Sequence, residues 1–445
     1  MERAPDTLWH AVTGPAPAFG RLDPGATAEV AVIGGGFAGL SSALALAQRG
    51  VEVLLLEAHA VGWGASGRNA GFVVPNFSKA DPAAVVARLG KETGERLLEL
   101  VGQGADRVFA FARAAGLGWQ AEQNGWLQPA HSAAAADMLR KRVEAWRALG
   151  RPVEWIDAAE TARRTGMDIY HGALADRSGG VINPLAYARA LARAAAAAGA
   201  RIVEDATVTD VRPADGDGWH LATTQGAVRA GKVLLCTNAE EAGVAARLAW
   251  QVIPLNVYQI ATEPLTKEAA NRFSPHREPV SDTRANIFTF RLDADNRLIS
   301  GGMAIVPLAA ERRMGARIVR RLARELGLSD VPRVTHVWRG TAAVTPDFLP
   351  RIVRFGDGFF GATGCNGRGI AMTTMFGDVL ADAVTGAPPD ALPVPVSEPA
   401  SIPFRPIARA APSAFLVRGI LDDWRTTRRT AAKATNTSTL KGEIP

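Results

Sequence analysis

The apolar positions of this chain fall into short unbroken runs and into helical spacings, and the two alternate from the start. AEVAVIG at 28–34 is a short continuous run, the pattern of a strand buried on both faces. Residues 40–49 follow with helical spacing and stop at Gly50. VEVLLLE at 51–57 predicts a second buried strand, so the chain opens on a βαβ unit. From 80 to 165 the pattern is mainly helical, with SAAAADMLRKRVEAWRALG at 132–150 a helix ending in glycine. Residues 184–198 predict another, with proline early and Gly199 at its end. RIVEDATVTDV at 201–211 predicts a strand, and WHLATT, AVRA and KVLLCTN predict a meander separated by glycines. Residues 251–305 are strand-rich, 309–328 predict a helix, and 364–386 predict a glycine loop running into a helix. A Pro-rich connector spans 387–406, a helix is expected around 414–430, and the tail beyond 431 is expected to be disordered.

Composition narrows the classes. The 445 residues are 47% hydrophobic and 21% charged, which predicts two or three domains and excludes general disorder. No run approaches ~20 uninterrupted apolar residues, so no membrane span is expected. The opening MERAPDTLWHAVTGPAPAFG lacks the layout of a secretion signal, and a cytoplasmic location is expected. The net charge is +6, but arginine is interleaved with acids along the chain. Its one concentration, Arg418, Arg425, Arg428, Arg429 and Lys433, carries no finger or RNA-binding signature, so no nucleic-acid partner is expected. Cys236 and Cys365 make neither a disulfide framework nor a zinc motif, and no metal site is expected. Glycine, at 45 residues, is in excess of the usual ~7%.

That excess is partly local. Gly34-x-Gly36-x-x-Gly39 lies between a predicted strand and a predicted helix. Such a loop turns tightly, lets backbone approach a pyrophosphate, and aims a helix N-terminus at the phosphates. Glu57 ends the second strand about 20 residues on, where a carboxylate receives ribose hydroxyls. The motif by itself fits FAD or NAD. A second glycine-rich stretch, 62–71, carries Ser66, Arg68 and Asn69, and a third, 364–370, opens a helix. Three loops spread over 330 residues suggest one large cofactor gripped from several segments.

The stretches VIGGGFAGLSSALALA (32–47), LLEAHAVGWGASGRNAG (55–71), SGGVINPL (178–185), LDADNRLISGG (292–302) and GCNGRGIAMTT (364–374) make the chain recognisable. In this order they resemble the FAD-dependent superfamily of D-amino-acid oxidase, glycine oxidase and monomeric sarcosine oxidase, with the gamma-glutamylputrescine oxidoreductase type nearest. The resemblance implies an α/β (overall α+β) protein. A Rossmann-type FAD-binding domain would comprise 28–85, 150–245 and 332–390. A substrate domain on a large, mostly antiparallel sheet with helices would comprise 86–149 and 246–331. Residues 1–27 would be an irregular lead-in and 391–445 the connector, helix and tail. Carried over residue by residue, Gly34, Gly36, Phe37, Ala38 and Gly39 would hold the pyrophosphate, and Glu57 and Ala58 the adenosine. Ser66, Arg68 and Asn69 would lie along the flavin, and Val208 at the adenine end. Asn366, Gly367, Arg368, Gly369 and Ile370 would bring N–H groups to the flavin's pyrimidine edge.

The expected chemistry is oxidation of a C–N bond in a small amine or amino acid: hydride passes to the flavin and water hydrolyses the imine. No covalent flavin link is expected, because GTAAV before Thr345-Pro346-Asp347 holds no cysteine. Cys365 is expected to fill space. No lysine occurs between Lys267 and Lys433, whereas some relatives use one over the flavin to activate oxygen, so the acceptor is O₂ or an unidentified carrier. A dehydrogenase or a non-catalytic flavin-holding subunit serving a partner is the alternative; a monooxygenase would need a second nucleotide-binding glycine motif, and none is found. Tyr258, Phe288, Phe290, Arg291 and Arg339 are the substrate-pocket candidates. Strand alternation sets Phe288 and Phe290 on one face and Arg291 on the other, so an aromatic-lined pocket would turn Arg291 away. His336 and Arg339, flanking Trp338, are expected to be structural.

Overall fold

The computed structural model describes residues 6–306, 309–405, 407–408 and 412–422. A short N-terminal helix (Leu8–Val12) precedes β1 (Thr27–Ile33), α1 (Phe37–Gln48) and β2 (Val53–Leu56). Then come α2 (Pro184–Ala197), β3 (Arg201–Val203) and β4 (Gly226–Leu235). The second half holds β5 (Ile253–Pro264), β6 (Thr289–Leu292), β7 (Arg297–Met303), α3 (Ala310–Glu325), β8 (Val334–Val344), β9 (Phe359–Thr363) and α4 (Gly369–Val384).

Five strands, in the order β9-β4-β1-β2-β3, form the parallel centre of the first sheet. Its strands lack polar alternation because both faces are covered. Val30, Val32, Val53 and Leu55 pack into the core that includes α1, α2 and α4, whereas Ala31, Ile33, Leu54 and Leu56 pack under the meander formed by Val208–Pro213 and Trp219–Thr223. Helix α4 crosses α1 closely: a Cβ at Gly377 would lie 2.5 Å from Ser41 Cβ.

The second sheet has eight strands, ordered β8-β5-β7-β6, Val280–Ser281, Trp126–Pro129, Ala173–Asp176 and Val153–Ile156. All its pairs are antiparallel except Val280–Ser281 with Trp126–Pro129. Helix α3 covers one face. A small third sheet joins Phe72–Val73, Gly180–Ile182 and Ala121–Glu122. The α/β class with a large antiparallel sheet is as expected.

Several local expectations change. Within 80–165, strands Trp126–Pro129 and Val153–Ile156 interrupt the helices; all four residues of the first are buried, which erases a period of two. The expected strand 201–211 is two, separated where Asp205 takes a left-handed φ of 55°. Conversely Gly231 lies inside the continuous β4 instead of breaking it. Lys267–Phe273 is a helix in the strand-rich region, capped by Thr266. Strands from 150–245 and 332–390 also enter the eight-stranded sheet, since β8 pairs along its length with β5. Residues 412–422 are helical; the rest of 414–430 and the tail lie outside the described residues.

The α1–α4 crossing yields a test. Gly377→Leu should lower stability by roughly 1–3 kcal/mol through overpacking, read as a fall in Tm. Gly14→Ala, where an added Cβ meets nothing within 4 Å, should leave Tm unchanged.

Candidate cofactor and substrate site

The first glycine loop is held by short-range geometry. Gly34 takes a φ of +109°, and a Cβ on Gly39 would collide with the Gly34 carbonyl oxygen. Helix α1 begins at Phe37, three residues before its expected start, so Gly39 sits in the first turn. Its N-cap, Gly36, offers no side-chain acceptor; Ser66 Oγ of the second loop accepts from the Phe37 N–H at 2.9 Å instead. The Phe37 ring packs into the core against Tyr187 at 5.4 Å, and the Ala38 carbonyl accepts from Ser42 Oγ at 2.8 Å. Glu57 Oε2 accepts from the Gly35 N–H at 2.6 Å and Oε1 from the His59 N–H at 2.9 Å. Burial pushes this carboxyl up, and the two N–H donors pull it back. The chain entering Val208 passes alongside: Ala206 N–H donates to the Glu57 carbonyl at 2.8 Å and Asp205 N–H to the His59 carbonyl at 3.0 Å. Ala58 lies between those two carbonyls.

The second loop docks on the first through the Gly62 N–H and the Gly35 carbonyl, 3.0 Å apart. Asn69 stitches it internally, donating to Ser66 O at 2.8 Å and accepting from the Gly71 N–H at 2.9 Å. Arg68 donates to Trp63 O at 2.7 Å and lies 5.3 Å from the Trp63 ring centroid. Two indoles hold the loop from outside: Trp338 Nε1 donates to Arg68 O at 2.9 Å and Trp9 Nε1 to Asn69 O at 2.8 Å.

In the third loop Asn366 has a φ of 52°, and its N–H donates to Ala343 O at 3.1 Å. Its Oδ1 accepts from the Thr345 N–H at 2.9 Å, so the side chain braces the loop. Gly367 is exposed, Ile370 is buried, and Gly369 is the first residue of α4. Arg368 precedes α4 with its guanidinium 5.3 Å from the Trp126 ring and its buried Nε unpaired. Burial lowers that guanidinium to about 10, with Arg142 adding to the shift. Burial raises the Cys365 thiol and pushes Cys236 up to about 12, and both side chains pack in the hydrophobic core.

The substrate candidates divide by sheet face, opposite to an aromatic-lined pocket. Tyr258, Phe288 and Phe290 are 3%, 2% and 0% exposed and belong to the core beneath α3. Arg339 is exposed on that side, 3.9 Å from Glu311, and His336 bonds its neighbour Thr335. Arg291 instead faces the glycine loops: a Cβ at Gly71 would lie 3.0 Å from its Nη2. It is 3% exposed, its Nε is unpaired, and no hydrogen bond or ion pair reaches its side chain among the described residues. Burial lowers it to about 10, and Asp293 and Glu122 pull back; those acids engage Arg297 and Arg277. Trp126 flanks the same row: Leu127, Val280 and Phe290 pair on the core side, which leaves Trp126 and Arg291 facing away, two strand spacings or about 10 Å apart. Gln259, with Oε1 buried and unpaired, pairs with Gly301 and Trp338 across the sheet on the loop-facing side. Trp9, Trp126 and Gln259 escaped the sequence reading, and Trp338 entered it only as the residue between His336 and Arg339; the apolar pair Leu8-Trp9 in a Pro- and Ala-rich stretch was the one local signal for the first. No group of three His, Cys, Asp or Glu suited to a metal occurs, and no helix is long and apolar enough to cross a membrane, among the described residues.

Two outcomes are expected. Ser66→Ala removes the α1 cap, worth about 1 kcal/mol, and should weaken FAD binding roughly fivefold in a titration of the apoprotein. His10 is lowered from 6.5 to about 4, by burial first and then by Arg189 and Arg68. Between those values the undocked histidine takes up a proton that the docked one does not. The N-terminal segment should therefore lose stability as pH falls from 6.5 to 4, read as faster proteolysis within 6–14.

A family model described as "FAD dependent oxidoreductase" (DAO) matches residues 29–383. The gamma-glutamylputrescine oxidoreductase of Escherichia coli (strain K12) is 30% identical over 377 residues, 83% of this chain and 86% of that one. The glycine oxidase of Geobacillus kaustophilus (strain HTA426) is 28% identical over 372 residues, covering 80% and 92%. In structure, glycine oxidase from Geobacillus kaustophilus superposes with a TM-score of 0.67 at 23% identity, covering 81% and 95%. L-proline dehydrogenase from P. horikoshii gives 0.68 at 20%, covering 81% and 94%. With its βαβ opening, the docking of loop 62–71 on loop 34–39 and this match over most of its length, the chain belongs to the DAO family of FAD-dependent oxidoreductases.

Proposed function

We propose that this protein is a cytoplasmic enzyme that oxidises the C–N bond of a small amine bearing a carboxylate, with Arg291 as the carboxylate anchor. The observation that carries the reading is Arg291 itself. A buried guanidinium without an anionic partner is costly, and here it faces the flavin loop instead of a protein acid. A planar carboxylate matches its forked donors. The named functions of the relatives, gamma-glutamylputrescine oxidoreductase and glycine oxidase, support amine oxidation.

The residues present fit FAD. The α1 N-terminus and the half-buried backbone at Gly34, Gly36 and Ala38 would receive a pyrophosphate, with Thr237 Oγ1 beside Gly34 buried and unpaired. Thr363 Oγ1 and Gln259 Oε1 are buried and unpaired as well. In this reading the parallel sheet with loops 34–39, 62–71 and 364–370 carries the cofactor, held without a covalent link, and the eight-stranded sheet carries the substrate. FAD held by these loops would supply the two-electron oxidation of the C–N bond, as the acceptor of the hydride on the carbon next to the amine nitrogen, with hydrolysis of the imine by water completing the reaction. Arg291 fixes the substrate by its acid end, so that the α-carbon has one orientation. The surrounding buried surface keeps the amine poorly solvated, which favours its neutral, reactive form.

A second reading concerns the acceptor. Strand β7 carries no lysine, and none lies between Lys267 and Lys433, which favours electron transfer to a carrier other than oxygen.

Anaerobic mixing with a panel of amines should bleach the flavin with carboxylate-bearing members, and bleaching by none would refute an amine-oxidising role. Reoxidation by air should be slow compared with that by an artificial electron acceptor. Arg291→Met should raise KM about 100-fold, the loss of a charged hydrogen-bonded pair of about 2–3 kcal/mol, and change kcat by less than tenfold.

A further inference from the structure

The segment 7–13 lies ahead of the family match at 29–383, yet it reaches the same site. Leu8 and Trp9 are 1% and 2% exposed and join Leu185, Ala261, Ile299 and Trp338 in one cluster. Thr7 caps the helix, Asn183 Nδ2 donates to Thr13 Oγ1 at 2.9 Å, and Arg189 Nη1 donates to Gly14 O at 2.5 Å. Asn183 is also the N-cap of α2, so the segment is tied to a helix terminus of the domain core.

At its centre Trp9 makes three contacts with different elements. Its Nε1 holds the Asn69 carbonyl at 2.8 Å. Its ring meets Trp338 edge-on at 6.1 Å and 74°. Its face lies 5.0 Å from the Arg291 guanidinium carbon. The ring face lies against a guanidinium that no side-chain hydrogen bond or ion pair reaches among the described residues. It leaves the guanidinium's N–H donors unspent for a ligand, because a π face accepts no in-plane hydrogen bond.

We propose that residues 7–13 form a wall of the substrate site, and that Trp9 is a positioning residue holding the Arg291 guanidinium for the carboxylate of the substrate. This rests on the reading of Arg291 as the carboxylate anchor. An aminocarboxylate then meets a site whose charge is oriented by chain outside the family match at 29–383, so the N-terminal segment tunes preference for acidic over uncharged amines.

The test titrates the purified holoenzyme with benzoate, an unreactive carboxylate, following the change in flavin absorption. Trp9→Leu keeps an apolar side chain but removes the ring face; Trp9→Phe restores a ring face. Expected is a Kd at least tenfold higher for Trp9→Leu, recovery to within threefold for Trp9→Phe, and unchanged FAD content in both. Equal Kd values for wild type and Trp9→Leu, or equal losses in the Leu and Phe variants, overturn the proposal. So does loss of FAD in Trp9→Leu, which marks Trp9 as structural. Arg291→Met separates the two levels. If it weakens benzoate and Trp9→Leu does not, only the positioning role falls. If wild type shows no benzoate response, or Arg291→Met leaves it intact, the carboxylate reading falls and this inference with it.

Discussion

The hydrogen bond from the Phe37 N–H to Ser66 Oγ ties the second glycine loop to the start of helix α1. Helix α1 starts on glycine and so brings no cap of its own. Taking the acceptor from a loop nearly thirty residues later forces that loop against the helix terminus. The Gly62 and Gly35 backbones then meet, and Asn69 closes the loop on itself. The loop's far side becomes a platform whose carbonyls at 68 and 69 are claimed by Trp338 and Trp9. In this way the loop that supplies the missing cap of one helix is also gripped by the eight-stranded sheet, through Trp338 of β8.

Charge burial is the second constraint. Most buried or half-buried arginines here have acids: Arg164 has Glu278, Arg284 has Asp282 and Glu325, Arg142 has Asp81. Arg291 and Arg368 have none among the described residues, and both face the space between the loops and the sheet. Such groups destabilise the empty protein, and a bound anion or electron-rich edge offsets that cost.

The sequence made the βαβ opening readable because Gly34, Gly36, Gly39 and Glu57 act over short range, and their spacing is itself the geometry. Strand alternation likewise separated Phe288 and Phe290 from Arg291. Which face is core could not be read, since it is decided by α3, whose Ile318 and Leu322 arrive thirty residues later. Trp126–Pro129 went unread because burial on both sides leaves no periodicity. Trp9 was hidden in a Pro- and Ala-rich stretch, and its importance lies in partners at 69, 291 and 338.

The period of two in β6 has a consequence for how this enzyme can change. Phe290 and Leu292 answer to packing against α3, where a lost methylene costs stability. Thr289 and Arg291, interleaved with them, lie on the opposite face, where Arg291 reaches the second glycine loop. One four-residue strand therefore carries two independent records. With Arg291 in its proposed role, alternate positions can drift toward a new substrate while their immediate neighbours hold the fold, and a shift of a single residue in register would exchange the two faces outright.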